Sequence, residues 1–151
     1  MIAEDYVSFE NAKLLKDKGF KEWCFKCYGV AVLHNGADIS FDEECDLRDY
    51  GREDEIEYVE GGRLYDYGCN NRDKDAKVWA APTLWVAMKW LRDTHKIFIE
   101  IKASIDLIGN PHYAYFVLGF DGDYRREGYT SFEWTYEKCC DEAVKYCLET
   151  L

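Results

Sequence analysis

The sequence predicts an α+β fold: a single domain in which an antiparallel sheet packs against three helices, in the order helix, strands, helix, strands, helix. Three segments have the apolar spacing of helices behind a capping residue, and the segments between them alternate with a period of two. A length of 151 residues with 48% hydrophobic and 17% aromatic residues suits one compact domain. We therefore expect residues 1–151 to form one domain.

Each predicted helix begins at a hydroxyl residue that can accept a backbone N–H. These residues are Ser8, Thr83 and Thr135. The first helix should end at Gly19, which takes a left-handed conformation without strain. Residues at spacings of three and four should face the core. They are Phe9, Ala12, Leu15, Leu84, Ala87, Met88, Leu91, Tyr136, Cys140, Ala143, Cys147 and Leu151.

Strand patterns fill the intervals between the helices. They cover residues 23–33, with a bend expected at Gly29, and then 56–59, 62–67, 96–102, 112–120 and 124–129, with a turn at 121–122. Residues 112–120 are apolar on both faces, so we expect this segment to be a central strand.

Charge is concentrated in an acidic insert at about residues 38–60. The chain has a formal net charge of -11, and this insert contains 11 acidic and 2 basic residues. Such a charge opposes binding driven by release of phosphate counterions, so we expect no direct nucleic-acid partner. The insert is either a solvated segment that resists aggregation or a contact surface for a host protein with a basic surface.

The N-terminal residues and the cysteine content favour the cytoplasm. Glu4 and Asp5 stand where a signal peptide carries basic residues, and no stretch approaches the ~18 apolar residues of a membrane span. Seven cysteines are an odd number in a chain that is large enough to fold without disulfides. We expect free thiols in a cytoplasmic protein without a membrane partner.

No motif assigns a reaction. Cys24 and Cys27 have the spacing of a zinc or redox pair, but no second close pair follows and the segment is predicted to be a strand. Residues 69–75 lack the glycine and the distal glutamate of a calcium loop and are predicted to be a turn. The histidines, His34, His95 and His112, lie in no catalytic motif. We expect no enzymatic activity, no cofactor and no metal.

Tyrosine and tryptophan are the most unusual part of the composition, with 12 and 5 residues. Aromatic side chains with a polar atom are favoured in binding surfaces. The candidates for an aromatic recognition surface border a polar segment: Tyr65, Tyr67, Trp79 and Trp85. The candidates for contact with a basic partner are Glu43, Glu44, Glu53, Asp54 and Glu55.

Three blocks of sequence resemble a known group of proteins. The first contains Tyr6-Val7-Ser8-Phe9-Glu10 with residues 12–16 and 18–20, the second Ala81-Pro82-Thr83 with 87–92, and the third Thr135-Tyr136-Glu137 with 142–143 and 145–148. In order and spacing the blocks resemble small uncharacterised proteins encoded by phages and mobile elements of intestinal bacteria. The resemblance covers the three helices, roughly a third of the chain. It implies neither an activity nor a catalytic residue.

Two functions remain open. The first is a non-enzymatic accessory or interaction protein of a phage or mobile element that binds a host component. The alternative is a protein that binds or sequesters a small ligand in an aromatic-lined pocket. A homodimer whose facing surfaces form a polar pocket would favour the ligand, whereas a flat acidic face with exposed aromatic residues would favour the host partner.

Overall fold

The computed structural model describes residues 5–33, 56–66, 68–119, 124–129 and 135–151. The elements in chain order are α1 (Phe9–Asp17), β1 (Cys27–Leu33), β2 (Ile56–Tyr65), β3 (Val78–Ala80), α2 (Leu84–His95), β4 (Ile97–Ile105), β5 (Pro111–Gly119), β6 (Tyr124–Tyr129) and α3 (Tyr136–Glu149). This order confirms the predicted α+β class and its succession of elements. Residues 34–55 of the chain, which include most of the acidic insert, and the turn expected at 121–122 lie outside the described residues.

All three helices begin at the predicted caps. Each cap side chain accepts a hydrogen bond from the backbone N–H three residues further on, which satisfies one free donor of the first turn. The caps are Ser8, Thr83 and Thr135. Gly19 has a φ of 94° after α1, and the Phe20 N–H donates to the Leu15 carbonyl at 2.9 Å. By contrast, α2 ends at a left-handed residue that is not glycine, Lys96, with a φ of 59°.

The strands are divided between two three-stranded antiparallel sheets, where the sequence pattern predicts one. β1 lies between β2 and β3, and β5 lies between β4 and β6. The helix α2 separates β3 from β4 along the chain. β3 pairs back onto β1, whereas β4 pairs forward onto β5. The central position of β5 confirms the prediction made from its two apolar faces.

The chain clusters into two compact units, of which the N-terminal unit is Ser8–Pro82. Helix α1 packs on the sheet of this unit. The Phe9 ring centre lies 5.4 Å from the ring centres of both Tyr28 and Trp79. Aromatic contacts of this kind add to the free energy gained from apolar burial. The predicted apolar face of α1 is therefore the face that holds the helix in place.

The strands of this unit differ from the prediction in extent. β1 begins at Cys27 and not at Trp23: Trp23 and Phe25 are exposed, and Cys24 forms only an isolated bridge with Cys69. The pairing of β1 with β2 shifts register at Gly29, where a Cβ would lie 2.5 Å from the Lys77 carbonyl oxygen. β2 is one strand where two are predicted, and β3 is absent from the prediction because three residues give no periodic signal.

A buried asparagine joins two segments of the N-terminal unit. Asn71 is 2% exposed, its Nδ2 donates to the Phe20 carbonyl at 3.0 Å, and its Oδ1 accepts the Ala80 N–H at 2.9 Å. The side chain therefore ties the segment after α1 to β3. The turn predicted over residues 69–75 is confirmed around Lys74 and Asp75. Periodicity gives no indication of the buried amide.

The C-terminal unit consists of Thr83–Leu151 together with Met1–Val7. In this unit α2 and α3 pack against each other, α2 packs on β4, and α3 packs on β4 and β5. Its buried residues include Leu84, Ala87, Leu91, Ile97, Tyr115, Val117, Cys139, Cys140, Ala143, Val144, Cys147 and Leu148. The burial of Cys140 and Cys147 confirms their prediction as core residues. Tyr136 and Leu151 are instead exposed, because they stand at the first residue of α3 and beyond its last.

The turn between β4 and β5 is held by Asp106. Its carboxylate accepts the N–H groups of Asn110 and Ile108 at 2.9 Å each. These hydrogen bonds keep the pKa of Asp106 below its ordinary value, because they stabilise the charged form. The turn brings all nine residues of β4 into register with β5.

We expect replacement of Asn71 by alanine to lower the free energy of unfolding by about 2–4 kcal/mol, because it leaves two buried backbone groups without their partner. Urea denaturation measures the loss. Asn70→Ala is the matched control, since the Asn70 side chain accepts the Arg72 N–H in an exposed turn. Its cost should stay below about 1 kcal/mol. Equal losses in the two variants would contradict a structural role specific to Asn71.

Candidate functional site

The acidic site candidates lie outside the described residues, and so does Tyr67. The acidic candidates are Glu43, Glu44, Glu53, Asp54 and Glu55. Contact between a basic partner and these residues stays a prediction.

The two aromatic candidates of the N-terminal unit do not share a surface. Trp79 stands opposite Tyr28 in the register of the sheet. Tyr65 stands opposite Cys27, one position along β1. Because successive side chains of a strand point to opposite faces, Tyr65 and Trp79 lie on different faces of the sheet. Trp79 is buried against Phe9 and is a core residue, which corrects its assignment to a recognition surface.

Trp85 is the predicted residue that the structure leaves open to solvent, with 64% exposure. It is the second residue of α2 and lines a groove with a volume of about 340 Å³. Small-molecule sites begin at about this volume. The lining residues all belong to the C-terminal unit: Asp5, Thr83, Leu84, Trp85, Met88, Tyr136, Glu137 and Cys140. We call this site the α2–α3 groove.

The first turns of two helices and one extended segment build the α2–α3 groove. The caps Thr83 and Thr135 determine where α2 and α3 begin, and thereby place Trp85 and Tyr136 in the first turns. The backbone brings Asp5 to the same place. Its carbonyl accepts the Leu84 N–H at 2.9 Å, and the next residue pairs with Thr83 in an antiparallel bridge.

Tyr136 is positioned by two neighbours. Its ring meets the Tyr113 ring nearly edge-on, with 5.8 Å between centres, and its hydroxyl is hydrogen-bonded to the Cys140 thiol. Partial burial raises the pKa of Tyr136 above its ordinary value. Burial also raises the pKa of Cys140 to about 11, so this thiol is a weak nucleophile at pH 7.

The charged side chains that line the groove, Asp5 and Glu137, are both acidic. The N-termini of α2 and α3 each contribute roughly +0.5 of a charge. They offset about half of the two full negative charges. Among these groups the two carboxylates leave a net negative charge.

Trp85 and Met88 also line a smaller cavity of about 70 Å³, whose other residues include Lys89 and Arg92. The Arg92 guanidinium lies 5.9 Å from the centre of the Trp85 ring. Lys89 and Arg92 are both paired with Asp93, at 2.8 and 3.1 Å. The basic side chains next to Trp85 are thus already engaged by a carboxylate of their own helix.

The described cysteines, six in number, are free and buried. The backbones of Cys24 and Cys69 are hydrogen-bonded to each other as an isolated antiparallel β-bridge. The Cys69 thiol is hydrogen-bonded to Cys27. Within the described ranges, no group of three or more His, Cys, Asp or Glu side chains is arranged to hold a metal ion. Cys45 lies outside these ranges. Both Cys24 and Cys27 are buried, at 5% and 2% exposure.

The described histidines do not line the groove. His95 ends α2 with its ring centre 4.7 Å from that of Trp90, and its Nε2 has no hydrogen-bond partner among the described residues. His112 places its Nε2 3.4 Å from the Asp106 carboxylate. The groups that the groove residues offer a ligand include aromatic rings, a thioether and carboxylates, but no imidazole of a described histidine.

Sequence reasoning identified Trp85 and missed Asp5, Met88, Tyr136 and Glu137. One feature of the sequence could have indicated the groove: both α2 and α3 have an aromatic residue in the first turn after the cap. Tyr136 fits the apolar spacing of α3 and was predicted to face the core. Only the packing of α2 on α3 shows that these first turns share one groove.

Comparison with known proteins gives no matching family model, curated protein or solved structure. The resemblance to proteins of phages and mobile elements therefore stays a prediction. Within the part of the chain that the structure describes, each helix is too short or too polar to cross a membrane. Function is accordingly inferred from the groove.

We expect Cys24 and Cys140 to be alkylated slowly in the folded protein. Burial raises their pKa values from 9.0 to about 12 and about 11. At pH 8 the reactive thiolate of Cys140 is then about a hundredfold rarer than for an unshifted thiol. Its rate of reaction should rise with pH until the solution reaches the pKa of the folded state. Iodoacetamide labelling with peptide mass spectrometry measures the rates, and the unfolded chain at the same pH is the control. Equal rates in the folded and unfolded chain would contradict the burial of these thiols.

Proposed function

We propose that this protein is a non-enzymatic binding protein whose α2–α3 groove takes a small ligand with a cationic group and an apolar or aromatic body. The proposal rests on one observation: two exposed aromatic side chains, Trp85 and Tyr136, line the same groove as two carboxylates. Aromatic rings and carboxylates attract a cation by different means, and together they bind organic cations.

The aromatic part of the groove suits the body of such a ligand. Trp85 offers a large exposed ring, and Met88 beside it has a flexible, polarizable side chain that adapts to the shape of its neighbour. The Arg92 guanidinium near the Trp85 ring shows that the ring accepts a cation at this distance. A ligand cation can use the same property of the indole from the groove.

The carboxylates supply the charge selectivity. Asp5 and Glu137 are full charges, whereas the helix termini contribute only partial ones. Lys89 and Arg92 are both paired with Asp93 and do not line the α2–α3 groove. An anionic ligand of the same shape would meet a repulsive potential here.

The remaining polar groups of the groove favour binding over a reaction. The Thr83 hydroxyl accepts the Val86 N–H at 3.3 Å as the cap of α2. The raised pKa of Cys140 leaves little thiolate at neutral pH. A threonine hydroxyl engaged as a helix cap and a protonated thiol are both weak nucleophiles.

A second candidate function is the binding of a host component, in which a lysine or arginine side chain of a partner protein would enter the groove. The exposure of Val86 next to Trp85 favours it, because exposed apolar surface beside the groove adds area that a macromolecular partner can cover. An accessory role in a phage or mobile element would belong to this second function. A small ligand is preferred because the groove volume matches one small molecule.

The test is a ligand-observed NMR screen of aromatic amines and guanidines, with aromatic carboxylates of the same size as the counter-set. We expect binders among the cations. Trp85→Ala should weaken their binding about tenfold, and so should the Asp5→Asn/Glu137→Gln double variant, since each removes about 1 kcal/mol or more of attraction.

Phe25→Ala is the control, because Phe25 is exposed in the N-terminal unit and does not line the groove. It should leave binding unchanged. Binding of the carboxylates with equal affinity, or binding of cations that survives both groove variants, would overturn the proposal.

A further inference from the structure

We propose that the protein forms a homodimer by antiparallel pairing of its β4 strands, which would join two sheets of the C-terminal unit into one. β4 is an edge strand, because the sheet has the order β4-β5-β6 among the described residues. An edge strand presents backbone N–H and C=O groups that can pair with another chain. The partner that fits this edge is a second copy of the same strand.

The sequence of β4 is complementary to itself when reversed. Its nine residues run from Ile97 to Ile105, and Ile101 is the midpoint. A two-fold axis through Ile101, perpendicular to the sheet, places Glu100 of each chain opposite Lys102 of the other. Opposite charges at directly facing positions of antiparallel strands attract, and the symmetry forms this pair twice.

Neighbouring registers lose this complementarity. Side chains alternate between the faces of a sheet, so only an axis that passes through a residue keeps the faces of the two sheets matched. An axis through Glu100 would place the two Glu100 side chains opposite each other. An axis through Lys102 would place the two Lys102 side chains opposite each other. The register centred on Ile101 avoids both repulsions and also pairs the strands over their full length.

The same register covers apolar surface. Ile105 is 74% exposed, and the pairing sets it beside Ile97 of the other copy on one face of the sheet. Pairing of nine residues adds about eight to ten backbone hydrogen bonds between the copies. A lysine alone on an edge strand commonly prevents association. In β4, Lys102 and Glu100 lie at equal distances from Ile101. The edge therefore pairs favourably with a second copy of β4 and unfavourably with most other strands.

No residue is shared between this interface and the α2–α3 groove, although Phe98 and Ile99 of β4 line the smaller cavity with Trp85 and Met88. None of the groove residues belongs to β4, and none of the β4 residues lines the groove. The dimer and the proposed ligand binding are therefore tested with variants at different residues.

The test measures the dissociation constant of the dimer by sedimentation over a concentration series. Glu100→Lys places lysines opposite each other, and Lys102→Glu places glutamates opposite each other. Each single variant should raise the dissociation constant at least about tenfold, since two attractive pairs become repulsive. Both positions are exposed, so these changes should leave the fold intact.

Two restorations distinguish pairing of β4 from a general charge effect. The double variant Glu100→Lys/Lys102→Glu recreates both attractive pairs and should dimerise like the original chain. An equimolar mixture of the two single variants should form a mixed dimer for the same reason. A chain that is monomeric at every concentration tested would overturn the proposal, and so would single variants that dimerise as well as the original or variants that fail to restore pairing.

Discussion

The beginning of α2 determines the geometry of the whole C-terminal unit. The Thr83 hydroxyl and the Asp5 carbonyl accept two backbone N–H groups of the first turn, which would otherwise remain without partners. This arrangement fixes the rotation of the helix, with Leu84 and Leu91 buried and Trp85 in solvent. If α2 were shifted by one residue relative to this segment, each of its side chains would point about 100° away from its present direction. The groove therefore depends on the cap and the extended segment, which both place the first residue of α2 at Leu84.

The two surfaces of the C-terminal unit use different physics for recognition. The α2–α3 groove combines polarizable side chains with carboxylates, and in the proposed function it would select its ligand by charge and shape. The edge of β4 offers a regular series of backbone groups, and its selectivity comes from register: Glu100 and Lys102 favour one alignment and penalise the adjacent ones. A groove and a strand edge can thus lie in one small unit without competing for the same residues.

The N-terminal unit depends on close packing and on one buried amide. Phe9, Tyr28 and Trp79 form its aromatic contacts, while Asn71 satisfies backbone groups that neither sheet nor helix can reach. The bulge at Gly29 lets a carbonyl approach where any Cβ would collide. These features explain why the tryptophan that borders the polar segment in sequence, Trp79, belongs to the core.

The sequence by itself determined the α+β class, the three helix caps and the end of α1 at Gly19, because each depends on neighbours along the chain. It also indicated the central position of β5, because both faces of that segment are apolar. The tertiary structure alone decided that the strands form two sheets, that Trp79 is buried while Trp85 is exposed, and that Asp5 lies beside α3 residues such as Glu137. The physical reason is that strand pairing and burial are set by contacts between residues far apart in sequence. Periodicity identifies which face of an element is apolar, but it carries no information about which other element covers that face.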